Sequence, residues 1–465
     1  MALSGDILVL GLGRSGVAVV RYLAARLGPG GVGSITALDE ADNEGLRALV
    51  PELEALGATV ALSANTVDGT FDLAVVSPGI APSKPLFRAA EAVCARMISE
   101  VEFAYLQSHS PWLAVTGTNG KTTTTSLIGH LLAADGIAVE TVGNIGRPAA
   151  QVVDEATSAT ALVAEVSSFQ LALTERFHPR VSVLLNLTPD HIDWHGSLEA
   201  YFADKARIFA NQDADDTAVI DVDDAGSAPY ADRVAATGVR VVRVSRERLH
   251  PGGVSVVGDM LALDTPHGVL ELVARDELRI RGEHNVSNAL ASAAAAYAFG
   301  ASAEGIRAGL RTFEPIEHRL EPAGEVAGVE YFNDSKATNP DAVFKALTAF
   351  GERPLIVLLG GRNKANDFRP LARAVASRCR GAVLFGESAG EFAEAFAGLD
   401  IRLERAPGLE GAVRAAARMA RAGDAVLLSP ACASFDEFSG FEERGSVFKR
   451  LVAGLESSST ELGAR

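Results

Sequence analysis

Short apolar runs alternate with alanine-rich segments of helical period along most of the 465-residue chain. Ile7–Leu10, Ile35–Leu38, Leu73–Val76, Leu113–Val115, Leu162–Val166, Val181–Leu185, Leu355–Leu359 and Ala425–Leu428 are rich in β-branched and aliphatic residues. A strand apolar along its length is buried on both faces, as in a parallel sheet covered by helices. Repeated alternation of this kind predicts βαβ units throughout, and so an α/β protein. At about 150 residues per domain, the length suggests roughly three domains. Their expected bounds are 1–99, 100–315 and 316–465. Pro315 and the Glu317–Arg319 stretch read as an interdomain linker. The Gly- and Val-rich region 221–276 reads as a small antiparallel insertion.

Charge narrows the function classes. Lys and Arg number 42 against 59 Asp and Glu, a formal net charge of −17. That argues against a nucleic-acid binder, which needs a basic footprint, and against a polybasic membrane-surface protein. Small anionic ligands stay open, because a local cluster of cations and backbone N–H groups acts against the global sign. Cys94, Cys379 and Cys432 are far apart and form no Cys-x-x-Cys pair. A disulfide framework or zinc site is therefore not expected, and a reducing compartment is. The N-terminus has no basic region, Asp6 breaks the first apolar run, and no stretch reaches bilayer-spanning length, so a cytoplasmic protein is expected.

The strongest local motif is Val115-Thr116-Gly117-Thr118-Asn119-Gly120-Lys121-Thr122-Thr123. An apolar strand feeds a glycine turn, then Lys and Thr, then a helix. Glycines allow backbone N–H groups to face phosphate oxygens, and the helix N-terminus favours negative charge. Lys121 is placed to meet the outer phosphates and the Thr122 hydroxyl to meet Mg²⁺. The pattern is a shortened G-x-x-G-K-T, since Val115 stands where the first glycine of the longer form belongs. The bland alternative is an ordinary glycine turn before a helix.

Two further loops lie at expected strand ends, where α/β sheets bind ligands. Glu165 ends a strand in Ala164-Glu165-Val166-Ser167-Ser168-Phe169-Gln170, and a carboxylate beside a phosphate loop is a usual metal anchor; Asp190, His191, Asp193 and His195 follow Val181–Leu185. His191 is a candidate metal ligand, set against a self-satisfied polar loop. Lys205 falls in a predicted helix and reads, on physics alone, as a surface lysine. Gly11-Leu12-Gly13-Arg14-Ser15-Gly16 fits G-x-G-x-x-G after a strand, with Asp39 ending the next strand. It predicts a diphosphate at a helix N-terminus without choosing between a nicotinamide cofactor and a UDP-sugar closed over by Ser77-Pro78-Gly79. Asn285 and Asn288, spaced i, i+3, share a helix face and suit a helix cap or a base- or ribose-reading pair. Arg319, Lys336 and Lys364 would each ordinarily be solvated charges.

Together these segments resemble the Mur ligase family, ATP-dependent amino-acid ligases of peptidoglycan assembly. Gly117–Thr122 and Asp190-His191-x-Asp193 carry the superfamily resemblance. Asn333–Asn339, Gly360-Gly361 and Leu428–Asp436 resemble its D-glutamate-adding branch, and the Asp-Asn-Pro-Arg motif of the diaminopimelate-adding branch is missing. The resemblance implies a Rossmann-like N-terminal domain, a central P-loop-type ATPase domain with a mostly parallel sheet, and a Rossmann-like C-terminal domain. It implies ATP and two Mg²⁺ ions, with UDP-N-acetylmuramoyl-L-alanine and D-glutamate as substrates and an acyl-phosphate intermediate. A soluble monomer serving peptidoglycan precursor synthesis, and through it cell-wall biogenesis, cell shape and cell division, follows from it.

Residue by residue, the resemblance assigns Gly117, Thr118, Asn119, Gly120, Lys121, Thr122, Thr123, Asn285, Asn288, Arg319 and Asp334 to ATP. Thr122, Glu165, His191 and Lys205 go to metal, with Lys205 carried as a carbamate. Arg14, Ser15, Asp39, Ser77 and Asn144 go to the UDP-sugar. Thr338, Lys364, Ser434 and Phe441 go to the amino acid. Lys121, Glu165, His191, Lys205 and Lys336 are the implied catalytic set. Domain closure that keeps water from the acyl phosphate would put a hinge near Pro315–Arg319.

Overall fold

The computed structural model describes residues 3–363 and 366–462. Among them lie three sheets. The first holds β1 (Gly5–Leu10), β2 (Val32–Leu38), β3 (Ala58–Ala61), β4 (Leu73–Val76) and β5 (Met97–Ser99). They are all parallel, in the order β3-β2-β1-β4-β5. Ile7 and Val9 enter one buried cluster and Leu8 and Leu10 the other. This double burial is why the run carries no polar alternation.

The second sheet holds β6 (Trp112–Thr116), β7 (Val139–Gly143), β8 (Ala161–Glu165), β9 (Val181–Leu184), β10 (Thr217–Asp221), β11 (Arg240–Val244), β12 (Val254–Val257), β13 (Met260–Thr265) and β14 (Gly268–Ala274). Its order is β14-β13-β12-β11-β10-β9-β6-β8-β7. The region read as an antiparallel insertion splits in two. β11 is a parallel member of the main sheet beside β10, which ends at Asp221 where the region starts, and only β12–β14 pair antiparallel with one another, extending one edge. Turns Val257–Met260 and Thr265–Gly268 are short enough for hairpins, whereas a parallel pair needs a long crossover.

The third sheet holds β15 (Glu321–Val326), β16 (Val329–Asn333), β17 (Leu355–Gly360), β18 (Gly381–Phe385), β19 (Arg402–Arg405) and β20 (Ala425–Ala431), in the order β15-β16-β20-β17-β18-β19. Only β15 is antiparallel to its neighbour. The chain falls into two compact units. The first runs to Leu278 and adds Ser287–Phe313; the second comprises Arg279–Val286 and everything from Glu314.

Sheets one and two share the first unit, and one apolar cluster runs from Ile7 and Val9 to Trp112 and Leu184. The helix Glu100–Gln107 joins them. Ser99 caps it, accepting from the Glu102 N–H at 3.3 Å. Glu100 Oε1 accepts from Ala150 N–H at 2.7 Å, and Glu102 accepts from Arg176 and Phe177 N–H at 2.8 and 2.9 Å. Phe103 meets Tyr22 edge-on, and Tyr105 meets Trp112 and Phe177.

Glu100 is fully buried, and desolvation pushes its carboxyl up to about 7. The folded chain therefore holds this proton more tightly than the unfolded chain. Its effect on stability is lost as pH rises from the ordinary carboxylate range to about 7, at a cost of about 3 kcal/mol. Glu100→Gln cannot ionise. Its thermal midpoint should fall less than that of the parent between about pH 5 and pH 8. Melting curves that stay parallel across that range would exclude Glu100 as the titrating group.

Candidate active site

β6 ends in the lysine-bearing turn. Gly117 and Gly120 have φ of 153° and 86°, in the region that favours glycine. A Cβ at Gly120 would come within 2.5 Å of Asn288 Oδ1. Asn186, directly after β9, grips the turn from the next strand. Its Oδ1 accepts from Asn119 N–H at 2.8 Å, its Nδ2 donates to Asn119 O at 3.0 Å, and its carbonyl accepts from Thr118 N–H at 2.8 Å. Thr118 Oγ1 pairs with Tyr201 OH at 3.1 Å and accepts from Thr188 N–H at 3.0 Å. The helix Lys121–Ala134 then starts with Thr122 and Thr123 buried. Lys121 folds over the turn, its Nζ donating to the Gly117 and Thr118 carbonyls at 3.0 and 2.9 Å. The result is a preformed anion cradle with an ammonium group across it.

Sheet register sets the next group. Glu165 ends β8, opposite Val115 of β6 on one side and Gly143 of β7 on the other. It is 2% exposed. Asn144 Nδ2 donates to Glu165 Oε1 at 2.9 Å, while Oε2 is buried with no hydrogen-bond partner. An unsatisfied buried carboxylate oxygen is costly unless a cation or donor completes it. A hard oxygen beside a phosphate cradle suits Mg²⁺, and the Thr122 hydroxyl supplies a second donor of the same chemistry. The residues present thus fit the metal.

Lys205 corrects the surface expectation. It lies in the helix Leu198–Ala206 at 2% exposure, because that helix turns its Tyr201 and Lys205 inward. Its Nζ donates to the Gly117 carbonyl at 2.8 Å and stands 4.8 Å from the Tyr201 ring. Burial, then the nearby Lys121 charge, pull its pKa well below the usual lysine value, against the attraction of Asp190 and Glu165. His191 is more exposed, in a left-handed conformation with φ 50°. Its ring packs edge-on to Phe169 at 4.9 Å, and its Nε2 stands 3.5 Å from Asp190 Oδ2. His195, also in that loop, is held by Asp204 at 2.7 Å and Ser168 at 3.0 Å, so it orients the loop. The Asp193 side chain lies outside the described residues, as does Lys364.

At the first sheet, Gly11 has φ 86°, and a Cβ at Gly16 would overlap the Gly11 carbonyl oxygen. Ser77 Oγ donates to that carbonyl at 3.0 Å. Asp39 is less available than the motif suggests, because its oxygens already accept from Leu12 and Ala41 N–H at 2.6 and 2.8 Å. Arg14 donates to the Gly146 carbonyl at 2.7 Å, joining this turn to the loop bearing Asn144. A pocket of about 110 Å³ lies there, lined by Arg14, Ser15, Pro78, Asn144 and Gln170 among others. Beside it a groove of about 980 Å³ runs along Leu12, Tyr22, Asp39 and Leu46.

The remaining candidates gather in the second unit, Asn288 apart. Asp334 is buried, accepts from Ser429 Oγ at 2.7 Å and Leu320 N–H at 3.3 Å, and is pushed by burial up to about 7. Arg319 stands between left-handed His318 and Leu320, its Nε buried without a partner. Lys336 Nζ lies 5.4 Å from the Phe441 ring centroid. Thr338 follows two residues on, and Ser434 is 2% exposed after β20. Asn285 Nδ2 donates to the Arg281 carbonyl at 2.8 Å. Two polar groups escaped sequence reasoning, Asn186 and Arg444. An Asn placed immediately after an apolar strand run was the available signal for the first; the second had none.

A parallel sheet headed by a lysine-bearing phosphate turn, with an acid at the adjacent strand end, defines a nucleotide-triphosphate-binding α/β enzyme. Family models match in three blocks: the Mur ligase MurD-like N-terminal domain over residues 5–99, the Mur ligase middle domain over 115–296, and the Mur ligase glutamate ligase domain over 318–432. The UDP-N-acetylmuramoylalanine–D-glutamate ligase of Pelotomaculum thermopropionicum is 44% identical over 453 residues, 97% of each chain. Its namesake in Syntrophus aciditrophicus is 39% identical, covering 97% of this chain and 98% of its own. Among solved structures, MurF from Acinetobacter baumannii shares the fold with TM-score 0.61 at 17% identity, covering 95% and 93% of the two chains. UDP-N-acetylmuramate-alanine ligase MurC from Thermotoga maritima does so with TM-score 0.59 at 18% identity, covering 98% and 100%. The chain belongs to the Mur ligase family. It is an ATP-dependent ligase with the three-part α/β architecture of that family.

Lys121→Ala removes the ammonium group across the cradle but leaves the backbone donors. Calorimetric titration with ATP and Mg²⁺ should show affinity falling at least about tenfold, equivalent to about 1.4 kcal/mol. Unchanged affinity would mean that Lys121 does not face the nucleotide.

Proposed function

We propose that this enzyme joins D-glutamate to the L-alanine carboxylate of UDP-N-acetylmuramoyl-L-alanine, in peptidoglycan precursor synthesis. ATP phosphorylates that carboxylate, giving an acyl phosphate and ADP. The D-glutamate amine attacks the acyl carbon, phosphate leaves, and an amide remains. The observation that carries the reading is the meeting of the phosphate turn, Glu165 and Asn144 at neighbouring strand ends. The substrate identity draws on relatives of that name matched end to end.

Each residue has a role suited to its setting. The Gly117–Thr123 turn and Lys121 hold the phosphates, with Asn285, Asn288, Arg319 and Asp334 serving the rest of ATP. A carboxylate attacking a phosphate brings two anions together, and fixed cations offset that repulsion. Thr122, Glu165, His191 and Lys205 would hold two Mg²⁺ ions, which neutralise charge building on the phosphate oxygens when bound. Arg14, Ser15, Asp39, Ser77 and Asn144 hold the UDP-sugar, while Lys336, Thr338, Ser434, Phe441 and Lys364 serve the amino acid. Domain limits at 99/100 and 315/316, a hinge near Pro315–Arg319, a monomeric state and a cytoplasmic location belong to the same reading. The three free cysteines support a reducing compartment.

Lys205 is proposed to act as a carbamate. A buried amine that donates to a carbonyl and has, among the described residues, no carboxylate in ion-pair contact is poorly placed as a cation. Addition of the amine nitrogen to CO₂, with loss of one proton, turns it into an anionic oxygen ligand. Lys205→Ala should lose at least about a hundredfold in turnover, on the scale of a lost electrostatic group. Formate or acetate should restore part of it. Absence of rescue at any carboxylate concentration removes the support for the carbamate.

The activity itself is tested by following phosphate release with ATP, Mg²⁺, UDP-N-acetylmuramoyl-L-alanine and D-glutamate, omitting each in turn. Release is expected to require all four. Release indifferent to D-glutamate, or faster with L-glutamate, would overturn the assignment.

A further inference from the structure

Arg444 is the one arginine among the largest fully buried side chains, at 1% exposure in the first turn of the helix Phe441–Leu462. Among the described residues it has no carboxylate within ion-pair distance. Instead its guanidinium donates to neutral acceptors on two loops. Nε donates to Ser335 Oγ at 2.9 Å and Nη2 to the Ser335 carbonyl at 2.8 Å. Nη1 and Nη2 both donate to the Cys432 carbonyl at 3.2 Å. Ser335 Oγ in turn donates to the Phe441 carbonyl at 2.8 Å, closing a ring back to the helix. Gly361 packs on the same group: its φ is 122°, and a Cβ there would stand 3.1 Å from Nη1.

These contacts sit at the carboxyl ends of β16, β20 and β17, which are neighbours in the third sheet. Ser335 directly precedes Lys336, Cys432 lies two residues before Ser434, and Phe441 lies three before Arg444. One cation thus ties together the segments given to the amino-acid pocket. Burying a guanidinium is an expensive way to hold loops, even with Asp436, Glu437 and Asp334 near enough to favour its charge, and a neutral side chain would serve a merely structural core better. What the guanidinium adds is a rigid planar fork spanning the Ser335 and Cys432 carbonyls at the strand ends. The loops it fixes are those that the proposed function gives to the acidic amino acid.

We propose that Arg444 is a positioning residue for the acidic amino-acid substrate, fixing the Ser335–Thr338 and Cys432–Ser434 loops and the Phe441 backbone as one carboxylate-binding frame. The inference rests on the D-glutamate reading above and deepens it.

The test compares parent, Arg444→Met, Arg444→Lys and Ser335→Ala in steady-state assays varying one substrate at a time. Arg444→Met should raise KM for D-glutamate at least about thirtyfold, while KM for ATP and for the UDP-sugar changes by less than about threefold. Arg444→Lys keeps charge but loses the fork, and should fall between parent and Met. Ser335→Ala, which removes the hydroxyl that accepts from Arg444 Nε and donates to the Phe441 carbonyl, should raise the same KM about fivefold. A split confined to D-glutamate supports the proposal, since a general structural role moves all three constants together. Equal changes in all three, or an unchanged KM for D-glutamate in these variants, overturn it. Should Arg444→Met fail to fold, Arg444→Lys and Ser335→Ala decide by the same criterion. Failure of the parent to respond to D-glutamate would overturn the proposed function itself. A parent that responds, with variants showing no split, would overturn only the role of Arg444.

Discussion

Two lysine amines share one carbonyl oxygen, and the first unit's site is organised around that fact. Lys121 and Lys205 both donate to Gly117 O, from a helix that follows the turn and from one about eighty residues further on. Protons on both nitrogens would repel: burial and the Lys121 charge pull the Lys205 pKa down, against the attraction of Asp190 and Glu165. Gly117 cannot drift, since its backbone conformation favours glycine and Asn186 pins the following two residues. A triphosphate entering the cradle would relieve the repulsion. The donors that would meet an anion are thus fixed by the fold itself, a form of preorganisation.

The same logic explains which parts of the molecule were legible in the sequence. The phosphate turn was legible because glycine, lysine and threonine are needed by type and by spacing. Parallel sheets were legible because double burial leaves an apolar run, as the opposite destinations of Ile7 and Leu8 show. Lys205 was not legible as a buried group. A lysine in a helix of mixed polarity looks like any solvated lysine, and only the packing of that helix against the turn decides the matter. Arg444 was hidden for a similar reason. Its partners are backbone carbonyls about a hundred residues away and a dozen residues away, and carbonyls carry no sequence signature. The antiparallel edge β12–β14 was seen, but its limits were set too wide because parallel β11 has the same composition.

Asp39 shows a subtler gap between motif and structure. The glycine pattern and the acid at the next strand end belong together in dinucleotide folds, where the acid reads a ribose. Here the carboxylate is turned onto the Leu12 and Ala41 N–H groups, so its first effect is to hold the glycine turn in shape. A motif records which residue types a geometry needs, and the same geometry admits more than one use of them. Arg14 is a parallel case. It leaves the glycine turn to donate to Gly146, so the first sheet's loop and the Asn144 loop are linked through one guanidinium.

Glu165 and Arg444 bury charge in opposite ways, and the contrast separates a ligand from a frame. Arg444 is satisfied within the fold: its donors meet carbonyl and hydroxyl oxygens, and nothing in its surroundings asks for another partner. Such a group gives rigidity. Glu165 is left half-made, with one oxygen engaged by Asn144 and the other buried without a donor. A half-satisfied buried anion is unstable on its own terms, and persists in a fold when something from outside completes it. On the proposed reading, the incomplete group is where a cation and phosphate enter, and the complete one is what must not move while the amine is held.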